Sequence, residues 1–114
     1  MLKLKIHQIE ILIKLVDQDI SNYKSVLERT GRDTWQVKID ELMEIRISLY
    51  NDLIIKWYMK GFNDELRGTS STIPDDKILD RAYSNGADDA VIGDDVMSSD
   101  YQSEDEIIRR IIGN

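Results

Sequence analysis

At 114 residues, 41% of them hydrophobic and none of them cysteine, the chain has room for one modest core and excludes a disulfide framework or a thiolate metal site. Its formal net charge of −7 is uneven: residues 1 to 63 hold ten Lys or Arg against nine Asp or Glu, whereas residues 64 to 114 hold five against thirteen. A negative second half repels phosphate and the first half carries no basic stripe, so direct nucleic-acid binding is not expected, and the acidic segment favours a basic protein surface or serves solubility.

The start, Leu2-Lys3-Leu4-Lys5-Ile6, alternates like a short strand or a frayed entry. From residue 7 to 29 the pattern changes to a helical one. Apolar residues at Leu2, Ile6, Ile9, Ile13, Val16, Ile20, Tyr23 and Leu27 recur in steps of four and three, a heptad seam that must be buried against another helix. Glu10 and Lys14 interrupt the most apolar stretch, which is too short for a membrane span and lacks a signal-peptide cleavage site, so a soluble, cytoplasmic protein is expected. Gly31 ends this helix in the left-handed conformation, with Lys24 and Arg29 near the negative end of its dipole.

Asp33 and Gln36 have the spacing of a capping box and open a second helix over residues 34 to 60. A connection of about three or four residues makes the two helices antiparallel neighbours. The second helix carries two apolar stripes. Trp35, Ile39, Leu42, Ile45, Leu49, Leu53 and Trp57 form one, and Met43, Ile47, Tyr50, Ile54 and Tyr58 form another, turned by about 100°. One partner helix cannot cover both, and Ile11, Leu12 and Leu15 add a surplus off the seam of the first helix. Leaving about 500 Å² of such surface wet forgoes on the order of 12 kcal/mol, so either the second half folds back to fill the groove in a compact monomer or, the reading adopted, two hairpins associate through Met43, Ile47, Tyr50, Ile54 and Tyr58.

The second helix is expected to stop at Lys60 with Gly61 as cap, or to fray on to Leu66 before Gly68. After the polar linker 68 to 72, a third helix is expected with Thr72 as cap, Pro74 in its first turn, Asp75 and Asp76 at its positive end, and Gly86 past its end. Residues 86 to 103 are acidic and poor in large apolar side chains. Ser103 and Glu106 then cap a short amphipathic helix bearing Ile107, Ile108, Ile111 and Ile112, which docks on the hairpin of its own molecule or, alternatively, in a groove on another protein. The expected fold is all-α: a long antiparallel, coiled-coil-like hairpin over residues 1 to 66, and an acidic region over 67 to 114 with two short helices, assembling as a homo-oligomeric bundle.

Chemistry is sparsely signalled. His7 has no local carboxylate or cysteine partner and reads as solvated. The pairs Asp75/Asp76, Asp88/Asp89 and Asp94/Asp95 do not match a calcium loop, and no cofactor is implied. Asp40, Glu41 and Glu44 set carboxylates on adjoining turns of the second helix. The five-residue stretch 40 to 44 that carries them resembles the first half of the acidic signature of the MazG-like nucleotide pyrophosphohydrolases, a resemblance that implies Mg²⁺ held by helical carboxylates. The family's second signature is missing at a suitable distance, and the plainer account of the same carboxylates is a solvated face.

The expectation for function is therefore a small acidic interaction module, a regulator or inhibitor of a larger protein such as a phage encodes. Asp88, Asp89, Asp94 and Asp95, with Ile107, Ile108, Ile111 and Ile112, are its candidate partner-binding residues. The alternatives are an oligomeric scaffold and the Mg²⁺-dependent hydrolase.

Overall fold

The computed structural model describes residues 4 to 92 and 104 to 113. The described residues are all-helical, in the order α1 (Ile6–Thr30), α2 (Asp33–Arg67), α3 (Lys77–Ile92) and α4 (Glu104–Ile112). None of these helices is long and apolar enough to cross a membrane. Contacts divide the chain inside α2 rather than at a linker, into compact units Met1–Asp52 and Leu53–Asn114.

In the first unit, α1 begins after an extended Lys5, whose N–H donates to the Gln8 side chain at 2.8 Å. The heptad seam is the covered side of this helix: Ile9, Ile13 and Ile20 are buried, while Ile11 and Leu15 on the other side are more than half exposed. Gly31 closes the helix at φ 64°, its N–H donating to the Leu27 carbonyl at 2.7 Å, as the position of the glycine predicts. The capping box expected at Asp33 does not form. Asp33 is already helical, and the Gln36 amide donates forward to Asp40 at 2.8 Å. Two contacts nest about the break: Tyr23 stacks on Trp35 with centroids 5.5 Å apart, and Arg46 pairs with Asp17 at 2.5 Å. Both partners of that ion pair are well exposed, so it contributes under about 1 kcal/mol.

The second unit contains the end of α2, all of α3, and α4. Here two glycines behave unlike helix stops. α2 runs straight through Gly61 and ends only at Arg67, with Gly68 left-handed at φ 70°. α3 likewise runs through Gly86 to Ile92, taking in Asp88 and Asp89 from the stretch expected to be irregular. The reason is close approach: a Cβ on Gly61 would overlap the Tyr83 carbonyl, and a Cβ on Gly86 would overlap the Tyr58 carbonyl and crowd the Phe62 nitrogen. Each glycine admits the backbone of the other helix. Ala82, Gly86 and Ala90 form a buried stripe of small residues at four-residue spacing, so α3 packs closely despite having few large apolar side chains.

The start of α3 also differs from expectation. Asp76, not Thr72, is the cap: its Oδ1 accepts from the N–H groups of Ile78 at 2.9 Å and Leu79 at 3.2 Å. At nine residues α4 is too short to persist alone. It docks on α3, burying Ile107 and Ile111 completely, and Arg81 donates to its terminal carbonyl at Ile111 at 2.8 Å.

Cβ addition should separate the two kinds of glycine. Gly61→Ala and Gly86→Ala each push a methyl into backbone, and each should lower stability by about 3 kcal/mol or more. Gly31→Ala meets no neighbouring atom and should cost only the left-handed penalty, roughly 1–2 kcal/mol. Urea unfolding of the three variants reads this order.

Candidate functional site

Two constellations of polar side chains lie in the second unit. In the first, Tyr58 from α2, Asp89 from α3 and Arg110 from α4 meet in the core. The Tyr58 hydroxyl donates to Asp89 Oδ2, Arg110 Nη2 donates to the same oxygen at 2.7 Å, and the guanidinium lies 5.9 Å from the Tyr58 ring centroid. Tyr58 has no exposed surface and Asp89 is buried. One side chain from each helix is thus held by a single carboxylate.

Burial, reinforced by the hydrogen bond to Asp89 and the charge of that residue, pushes the Tyr58 hydroxyl up to about 12, with Arg110 opposing. Burial works against the Arg110 charge, but the hydrogen bond and charge of Asp89, with a smaller contribution from Tyr58, outweigh it and hold the guanidinium above its ordinary value. A phenol in that range stays protonated at neutral pH and is neither a base nor a nucleophile. The trio acts as a lock between helices.

The second constellation surrounds Asp64, near the end of α2. Its Oδ2 accepts from Ser71 Oγ at 2.6 Å and from the Tyr83 hydroxyl at 2.7 Å, while Thr69 Oγ1 donates to Oδ1 at 3.3 Å. The Ser71 N–H donates in turn to the Tyr83 oxygen at 3.1 Å. The Ser71 hydroxyl, followed by that of Tyr83, lowers the Asp64 pKa below the ordinary carboxylate value. Burial and the carboxylate raise that of Tyr83. An acid held ionised and a phenol held neutral fasten the 69 to 71 stretch to both helices. They do not exchange a proton at neutral pH.

These networks absorb residues that the sequence assigns elsewhere. Asp89, Ile107 and Ile111 are candidate partner-binding residues by pattern, yet the first is spent on Tyr58 and Arg110 and the other two have no exposed surface. Ile54 and Tyr58, expected on the oligomer-facing stripe, are also fully buried. The cause is that α3 and α4 pack in the second unit where an open face was expected. Asp88 stays exposed, Ile108 is half-buried and Ile112 is 44% exposed; Asp94 and Asp95 lie outside the described residues. Of the other stripe members, Tyr50 is half-buried, and Met43 and Ile47 are 45% and 58% exposed. The polar locks themselves escaped the sequence reading. Their only local signal is a Tyr or Asp on the apolar side of a helix.

His7, Asp40, Glu41 and Glu44 all stand exposed. Among the described residues, no three His, Cys, Asp or Glu side chains gather where a metal ion could be held. A shallow cleft is lined by Ile73, Pro74, Asp75, Asp76, Lys77 and Asp80, with Asp76 committed to capping α3. Among the described residues that face solvent, the second unit shows Glu65, Asp75, Asp80, Asp88, Glu104, Asp105 and Glu106 against Arg67, Lys77, Arg81 and Arg109, an acidic excess, and the first unit includes the apolar Ile11, Leu15, Val37, Met43, Ile45 and Ile47 among exposed charges of both signs. No protein-family model, curated protein or solved structure matches the chain.

Two titration limbs should be visible. The folded-state pKa of Asp64 is depressed, so its stabilisation is present above about pH 4, the unfolded value, and is lost as pH falls through the lower folded value. Asp64→Asn should flatten the acid limb of melting temperature against pH. Tyr58 is raised to about 12, so its contribution is complete below its unfolded value near 10 and declines as pH rises towards 12. Tyr58→Phe should reduce that alkaline limb and, by leaving Asp89 one donor short, cost about 1–3 kcal/mol at pH 7 in urea unfolding.

Proposed function

We propose that this chain is a protein–protein interaction module, a small acidic regulator that associates with itself through its first unit and presents the acidic surface of its second unit to a larger protein with a basic surface. The observation that carries this is the wet apolar surface of the first unit. Met43 and Ile47 stand one turn apart on α2, and Ile11 and Leu15 stand one turn apart on α1, all between 45% and 58% exposed. Single exposed apolar residues are ordinary, but repeated i, i+4 pairs on long helices are the form in which helices recognise other helices.

The polar inventory supports the same division. Asp64, Asp76 and Asp89 are engaged in capping or in locks, and the exposed charge of the second unit is an acidic excess, Glu65, Asp75, Asp80, Asp88, Glu104, Asp105 and Glu106 against Arg67, Lys77, Arg81 and Arg109. A surface with an excess of one sign steers an oppositely charged partner and accelerates encounter, and the apolar residues Ile108 and Ile112 would slow departure. In this account the coiled-coil-like pairing of α1 with α2 is the platform, and the second unit is the reader.

The scaffold alternative shares the self-association and differs in its output, since the oligomer alone would suffice. The hydrolase alternative predicts Mg²⁺-dependent turnover that Glu41→Gln and Glu44→Gln abolish.

Sedimentation and affinity capture test the proposal together. The full chain should sediment above its 13.2 kDa monomer mass, and Ile47→Glu should return it to that mass without loss of helicity. Bait carrying Asp75→Asn, Asp80→Asn and Asp88→Asn should lose a protein that unaltered bait retains at low salt and releases at high salt. A chain that is monomeric at every concentration, with captures indifferent to the three substitutions, overturns the reading.

A further inference from the structure

Two kinds of contact fasten α4 to the second unit. Ile107 and Ile111, one turn apart, have no exposed surface, whereas Ile108 is half-buried and Ile112 is 44% exposed. Charge-assisted hydrogen bonds join it as well: Arg110 Nη2 donates to Asp89 Oδ2 at 2.7 Å, and Arg81 Nη1 donates to the Ile111 carbonyl at 2.8 Å. The Arg110 side chain is 34% exposed, so water and salt reach one partner of the ion pair. These contacts must offset the ordering of nine residues that do not hold a helix alone, which sets α4 at the low-stability end of the unit.

The fastening of α2 to α3 is made without α4. Their backbones pass closely at Gly61 and Gly86, and Asp64 near the end of α2 accepts from Tyr83 of α3. Asp89 accepts from Tyr58 as well as from Arg110. With α4 out of place the Tyr58 hydroxyl still holds that carboxylate, and the surface beneath α4 persists as a shaped site: two seats for apolar side chains beside one fixed carboxylate. The helix that fills it brings apolar residues at i and i+4 and a cation at i+3, the register of Ile107, Ile111 and Arg110.

We propose that α4 is a displaceable latch: it leaves as one piece while α2 and α3 stay packed, and the site it vacates takes a helix of another protein that carries the same apolar–x–x–Arg–apolar pattern. The buried carboxylate selects for the arginine, because a charge left unpaired there is costly. A second copy's α4 is not the occupant. It makes the same contacts without the covalent connection that keeps the resident α4 at high local concentration. A partner helix longer than nine residues competes better, since more of its turns are held by its own hydrogen bonds before it docks. This site lies beneath α4, apart from the exposed carboxylates to which the proposed function assigns a basic partner.

Hydrogen exchange and peptide binding, both on the full chain, test this. In the unaltered chain the amides of Ile108 to Gly113 should be protected at least about tenfold less than those of Leu53 to Gly61 and Ala82 to Ala90. Equal protection of all three stretches means that α4 opens only when the unit unfolds, and overturns the latch. The probe for the vacated site is a labelled peptide of residues 103 to 113, offered to a chain whose own α4 is unseated by Ile107→Ser and Ile111→Ser. Circular dichroism should show that this variant keeps its longer helices, and it should bind the peptide at least about tenfold more tightly than the unaltered chain does. Arg110→Gln in the peptide, or Asp89→Asn in the chain, should weaken that binding at least about tenfold. A variant that loses its helicity wholesale, or one that stays folded and takes up no peptide or takes it up regardless of Arg110 and Asp89, overturns the proposal. An unaltered chain that dimerises at micromolar concentration and is returned to monomer by Arg110→Gln has its own second copy as occupant, which overturns the assignment to another protein.

Discussion

The close passage of α2 and α3 at Gly61 and Gly86 is the constraint on which the second unit depends. Each glycine faces the other helix's backbone, so neither position has room for a methyl group. The approach is reciprocal: Gly61 faces Tyr83, and Gly86 faces Tyr58. The two contacts bring both tyrosines to the helix that carries their carboxylate. Tyr58 thereby reaches Asp89 and Tyr83 reaches Asp64. A helix separation widened to fit ordinary side chains would draw both pairs apart together.

Closeness also explains how a weakly apolar helix comes to be buried. Small side chains at Ala82 and Ala90 extend the stripe on either side of Gly86, so dispersion contacts between helices replace the large apolar surface that α3 lacks. Leu79, and the edge-on approach of Trp57 to Tyr83 at 6.1 Å, fill the flanks. Inside such a tight layer a carboxylate is tolerable only when its oxygens are engaged. Asp89 meets that requirement by accepting from Tyr58 and Arg110, and the arrangement makes α4 part of the fold even though its nine residues would not hold a helix alone.

The proposed function rests on what is left outside. The polar side chains with the most distinctive environments are buried and inert at neutral pH, whereas large apolar side chains on α1 and on the first part of α2 are wet. The buried polar side chains join helices, and the proposed recognition role rests on other features, the exposed apolar pairs of the first unit and the acidic excess of the second.

Some of this is legible in the residues themselves. The seam on α1 and the amphipathic helix near the C-terminus follow from local periodicity, and the end of α1 at Gly31 from capping chemistry, because such features depend on neighbours within about one turn. The rest was decided in three dimensions. A glycine in a helical pattern reads as a stop by propensity, and only the backbone of another helix beside it makes Gly61 and Gly86 assets in mid-helix. Asp89 looks no different from Asp88 in an acidic run until Tyr58 and Arg110 are placed around it. Ile54, Ile107 and Ile111 likewise carry an apolar signal that says they must be covered. Local sequence cannot say whether another molecule or this one does the covering, because that is settled by contacts between residues far apart in the chain.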